Sequence, residues 1–142
     1  MTTTEAISRG PVIGQNWPGQ GGIYIGQRLI DGQPHHIIVA PGVESDIQDV
    51  RFADVDKVVA EAGEINGHAD WRAPEQEDLM LAYVNAPDQF VRDGGWATVY
   101  WSRSEHHKWP WAVDFETGYV NDYPHYNKCR VRPFRSIVAS SI

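Results

Sequence analysis

Only one cysteine, Cys129, occurs in this chain, so no disulfide can form within it. It stands in the apolar phase of a strand, which reads as a buried thiol rather than a nucleophile. Basic residues are also scarce. Twelve Lys and Arg against nineteen Asp and Glu leave a formal charge of −7. That balance argues against nucleic acid as a partner, because nonspecific binding needs a basic face. It also disfavours attraction to an anionic membrane. No apolar run approaches the ~20 residues of a membrane span, so no membrane insertion is expected. The first residues, Met1-Thr2-Thr3-Thr4-Glu5-Ala6, lack the basic and apolar regions of a secretory signal. The expectation is synthesis and folding in a cytoplasm, with any external role reached by lysis or by assembly into a larger particle.

What the chain does have is six Trp and thirteen Gly in 142 residues. Aromatic- and glycine-rich composition with frequent turns favours many short strands over long helices. The length suits one domain with a core of its own. Residues 1 to 12 are polar and unpatterned and read as a flexible arm; 13 to 142 read as a single domain. Gly22 to Ile30 and Gln33 to Ala40 flank Asp31-Gly32, a strong signal for a two-residue hairpin. His35 and His36 are adjacent there, so a strand points them to opposite faces and they do not make a metal pair. Residues 43 to 50 read as acidic and turn-like. Val55, Val58, Val59 and Ala62 follow helical spacing over about 54 to 62, and Gly63 stops that helix. A second helix follows Pro74, with Leu79, Met80, Tyr83 and Val84 as its apolar stripe and Ala86-Pro87 as its end. Glu75, Glu77 and Asp78 suit the positive end of its dipole.

From Trp96 onward the chain reads as an antiparallel meander. Trp111, Val113 and Phe115 alternate with Ala112 and Asp114. Gly118 closes a tight reversal, and Tyr119, Asn121 and Tyr123 share one face of the returning strand. Cys129, Val131 and Pro133 share one face of a last strand, Arg130 and Arg132 the other, and residues from Ser136 form a tail. Ser102 to Lys108 reads as the most polar link.

Four blocks stand in order: Asp70-Trp71-Arg72-Ala73-Pro74, Tyr100-Trp101-Ser102-Arg103-Ser104-Glu105, Trp111-Ala112-Val113-Asp114-Phe115 and Arg130-Val131-Arg132. Together, from about Trp17 to Arg135, they resemble the DUF1566 family, also called the Lcl C-terminal domain family. The resemblance implies an α+β fold similar to C-type lectins, with two helices packed on antiparallel β-hairpins. Short members of this kind resemble proteins encoded by tailed bacteriophages and prophages. Where the family has Thr or Ser after the proline, this chain has Glu75. Within the motifs Asp70, Trp71, Arg72, Pro74, Trp101, Trp111, Arg130 and Arg132 are expected to be structural, Asp70 and Arg72 anchoring a loop by hydrogen bonds and ion pairs.

Three kinds of chemistry compete for the remaining residues. Ser102, Ser104, Glu105, His106 and His107 supply the residue types of a hydrolase, but their crowding in one segment is unlike a triad assembled from separate elements. Glu105, Asn121 and Asp122 offer oxygens for calcium, but the lectin calcium motifs are missing and Val120-Asn121-Asp122 is a partial echo. No metal and no cofactor is therefore expected. A recognition surface is the third: His106, His107, Lys108, Trp109, Tyr123, His125 and Tyr126 flank the open end of one hairpin, opposite Gly118, and combine rings with orienting polar groups. The expectation is a non-enzymatic binding or structural module of a virion, meeting another virion protein or a host-surface receptor, protein or glycan. A homo-oligomer is expected, a trimer among the options, with the N-terminal arm reaching a neighbour. The alternatives are the small hydrolase and an intracellular phage protein that binds a host factor.

Overall fold

The structure is a computed structural model that describes residues 10–106 and 108–141, without the side chains of Trp96, His106 and Ser141. It is α+β, mostly sheet with two short helices. Most of the arm expected over residues 1 to 12, and His107, lie outside the described residues.

A first sheet runs in the order β1 (Asn16–Trp17), β2 (Gly22–Ile30), β3 (Gln33–Val39), β9 (Phe134–Val138). Its β2–β3 hairpin forms where Asp31-Gly32 predicts it. Asp31 and Gly32 both take positive φ, 50° and 80°, as a turn matched to strand twist requires. A second sheet runs β4 (Ile47–Arg51), β8 (Lys128–Val131), β5 (Val99–His106), β6 (Trp109–Asp114), β7 (Val120–Asp122). The two helices are α1 (Val55–Ala62) and α2 (Gln76–Asn85).

The central strands are covered on both faces. Tyr100 and Trp101 are neighbours in β5 and point to opposite sides, and both are fully buried. Tyr100 and Val113 join one core with Ile23, Ile37, Leu79, Phe90 and Phe134, under α2. Trp101 and Ala112 join another with Ile38, Val55, Val59, Trp71 and Val131, under α1. Each large side chain so buried contributes about 1.5–3 kcal/mol.

Several expectations need correction. Residues 43 to 50 are not all turn, because Ile47 begins β4. Its register moves from Ile47↔Val131 to Val50↔Cys129, so three steps on β4 meet two on β8. That bulge breaks the apolar alternation by which a strand is read. The polar link Ser102–Lys108 is strand through His106, with a register shift between Trp101 and Glu105. The C-terminal third is not a simple antiparallel meander. β8 pairs with β5 in parallel, at Tyr100↔Arg130. The tail read from Ser136 begins inside β9, which crosses to the first sheet and pairs with β3 from His35↔Val138 to Val39↔Phe134. In α2 the buried positions are Asp78, Leu79 and Ala82, with Ala86 just past its end; Val84 is 69% exposed. Apolar residues run round this helix, so its buried face is set by what β2, β5 and β6 present to it.

Candidate functional site

The two links flanking the β6–β7 hairpin do meet. His125 Nε2 donates to the backbone carbonyl of Lys108 at 2.6 Å, which ties the 123–127 segment to the β5–β6 turn. The Tyr123 amide donates to the Pro110 carbonyl at 2.9 Å, and the Asn127 amide to that of Pro124 at 3.0 Å. Lys108 itself sits at φ 74°, a conformation a non-glycine residue takes only when its surroundings hold it there. On this tied frame Trp109 is 47% and Tyr126 75% exposed. The His125 ring lies 6.3 Å from that of Trp109 and 5.7 Å from Phe52, edge-on to the latter. Phe52 in turn packs edge-on against Trp101 at 5.7 Å, so the surface is rooted in the core. Tyr123 is half-buried, its ring 6.2 Å from Trp101, and burial raises its phenol pKa. Lys108, Trp109, Tyr123, His125 and Tyr126 are thus brought to one end. The backbone of His106 pairs there with Trp109, and His107 lies outside the described residues. Phe52 belongs to this surface and the sequence gives no sign of it, because the 3-10 turn after β4 that carries it (Phe52–Asp54) and the loop it faces are far apart in the chain.

The motif residues do other work. Trp71 is buried, and its Nε1 donates to the Ile65 carbonyl at 3.0 Å. Arg72 exchanges both backbone hydrogen bonds with Phe134, at 2.7 and 2.9 Å, which attaches the motif to the edge of β9. Asp70 and Arg72 are not a pair with each other. Asp70 meets Arg135 at 2.7 Å, which holds its carboxyl below the usual range. Arg72 Nη1 meets Asp78 Oδ2 at 2.7 Å, and Arg28 Nε meets Asp78 Oδ1 at 2.7 Å. Burial alone would raise the Asp78 pKa, but the two guanidiniums hold it lowered. Asp78 also accepts the Glu75 amide at 2.8 Å, closing the helix end although no hydroxyl residue caps it. Pro74 is buried at that entry, and its carbonyl accepts the Arg103 amide at 2.8 Å.

Arg130 and Arg132 converge on Asp46, at 3.1 and 2.6 Å, and Tyr100 donates its hydroxyl to the same carboxylate at 2.6 Å. Arg132 is fully buried; it donates further to the carbonyls of Ala40 and Gln89 and lies 4.4 Å from the Phe90 ring centre. Trp101 is fully buried with Nε1 on the Val50 carbonyl at 2.7 Å, while Trp111 is half-buried. Cys129 is buried and its thiol is pushed up to about 12, so it stays protonated near neutrality.

The serines of the hydrolase reading are engaged structurally. Ser102 is fully buried and donates to the Trp111 carbonyl at 2.8 Å. Ser104 donates to Glu75 Oε2 at 2.6 Å. Among the described residues no three Asp, Glu, His or Cys side chains converge as a metal site would need. No helix among them is long and apolar enough to cross a membrane. No protein-family model matches the chain, and no curated protein matches it.

Proposed function

We propose that this chain is a non-enzymatic binding or structural module of a bacteriophage particle. It is made in a bacterial cytoplasm, assembles into the virion, and meets a host-surface receptor or another virion protein through the end that carries Trp109 and Tyr126. The fold assigned is the C-type-lectin-like arrangement of the DUF1566 family, on the strength of the four motif blocks. The observation that carries the reading is the contrast in aromatic placement. Most large rings are buried or half-buried, whereas Trp109, at the start of β6, and Tyr126 stand in solvent together beside the His125–Lys108 bond; Tyr119, also exposed, lies by itself at the Gly118 turn. Rings held out in this way offer contact area with little side-chain entropy to lose on binding. A homo-oligomer fits the symmetry of virion fittings, and residues 1 to 12 are the segment assigned to reach a neighbouring subunit.

The test has two parts. Mass spectrometry of purified particles should find the chain as a stoichiometric component. Trp109→Ala and Tyr126→Ala should each keep the stability within about 0.5 kcal/mol of the parent, as surface changes do, yet lose attachment to host cells or to particles lacking the chain. Attachment at the parental level by both folded variants would sink the proposal.

A further inference from the structure

The bulge in β4 opens a cavity of about 160 Å³ between β4 and β8, lined by Gln48, Asp49, Ala97, Lys128, Cys129 and Arg130. Asp49 is the strained residue of the bulge, with φ 57°. Bulges and strained residues gather where a strand is being used for something besides pairing. The charge around this cavity does not balance. Arg130 and Arg132 share the single carboxylate of Asp46, whose side chain is fully buried; those of the two arginines are 17% and 0% exposed. One positive charge is left over, and it falls to Arg130, the member of the pair that reaches solvent. Arg130 commits Nη1 to Asp46 and lines the cavity with Lys128, two residues along the same face of β8.

Arg103 and Arg135 each meet a carboxylate. Arg28 and Arg72 also share one, Asp78, but Glu75 and Glu77 stand close enough to act on Arg28 as well. Lys128 is exposed and makes no ion pair among the described residues, and Arg51, directly across from it on β4, is exposed and makes none among them either. In a chain of net charge −7, Lys128 and Arg130 line one small cavity with Arg51 across from Lys128.

We propose that this cavity is an anion-binding site for a single carboxylate or phosphate group. Arg130 and Lys128 supply the charge and the Gln48 amide a hydrogen bond. Its volume admits one such group and falls below the ~300 Å³ at which pockets for larger ligands begin. Asp49 is the acid on its wall, so it opposes the anion and sets a weak affinity. The proposal is independent of Trp109 and Tyr126.

Full-length protein is titrated with inorganic phosphate, and separately with acetate, at constant ionic strength made up with chloride, while backbone amide shifts are followed by NMR. Residues 48–50, 97 and 128–130 should shift saturably, and whichever anion saturates names the chemistry. Lys128→Gln should weaken binding roughly tenfold, the size of one charge-assisted contact. Asp49→Asn should tighten it. Lys57→Gln, a cation on α1 that does not line the cavity, should leave it unchanged. Linear shifts with both anions, or equal weakening by Lys57→Gln and Lys128→Gln, would overturn the site.

Discussion

Asp46 and Asp78 solve one problem in two ways. Each is a carboxylate with a fully buried side chain held by two arginines. At Asp78 the arginines come from β2 and from the Trp71 motif, and their side chains are 16% and 27% exposed. At Asp46 one comes from β8 and the other, Arg132, from just past its end, and the Arg132 side chain is 0% exposed. Asp46 lies just before β4 and joins it to β8, β5 and, through the Arg132 bonds to Ala40 and Gln89, to both sheets and the segment after α2. Asp78 locks one helix end to one strand and one loop. The lesson is that a buried ion pair matters by what becomes of its partners when it is broken, and water can reach the partners of Asp78 but not Arg132.

The largest effect should therefore come from Asp46→Ala. It leaves Arg132 charged and buried with one acceptor gone, a loss of about 3–5 kcal/mol. Denaturant unfolding measures it. Asp78→Ala should cost less, roughly 2–3 kcal/mol, because Arg28 and Arg72 can turn to solvent. A larger loss for Asp78→Ala than for Asp46→Ala would show that burial of the cations does not set the ranking. The helix end supplies the sharper form of the test. Asp78→Asn keeps an acceptor for the Glu75 amide while removing the charge, so it should recover part of the Asp78→Ala loss.

Acid exposes the Asp78 hub from another side. Its pKa is lowered below the ordinary 3.8 despite burial, by Arg28 and Arg72. The unfolded chain then takes up the proton first as the pH falls. The stabilisation is complete above the unfolded value and drains as the pH drops from 3.8 toward the lower folded one. In Asp78→Asn that part of the acid limb should be missing from a plot of unfolding free energy against pH. An unchanged limb would mean that other carboxylates carry it.

The two hubs also mark how far the sequence can be read. Arg130 and Arg132 are visible as the polar phase of a strand, but their partner Asp46 stands 86 residues before Arg132, in a segment that looks like an acidic turn. Local signals were legible: Asp31-Gly32, the reversal at Gly118, α1 with Val55 and Val59 buried, and the meeting of Lys108 with His125 across one hairpin. Long-range pairings were not. β4 is disguised by its bulge, and the break between β8 and β9 is hidden because Cys129, Val131 and Pro133 keep one strand's alternation across it. Phe52 joins the Trp109 surface only because β4 packs where it does, and no spacing within its own segment predicts that. The parallel contact of β8 with β5 depends on the whole crossover and leaves no local trace.

His36 shows the third way to bury an ionisable group, which is to keep it neutral. It is 8% exposed, its Nδ1 is hydrogen-bonded to the Tyr24 hydroxyl at 2.9 Å, and Trp17 and Tyr24 meet its ring edge-on. Burial lowers its pKa below the ordinary 6.5. The sign is the same as for Asp78, although the charge is opposite, because in both cases the unfolded state binds the proton more readily. Stability should be full above 6.5 and fall as the pH drops from there toward the lower folded value. Since no buried charge loses its partner, the loss should be smaller than for either carboxylate variant. Melts taken between about pH 7 and about pH 5 should show the wild type losing stability and His36→Gln holding more nearly level. A variant that loses as much as the parent over that interval would assign the slope to other groups. Protonation of His36 would then be tolerated, through access to water that its burial between Trp17 and Tyr24 argues against.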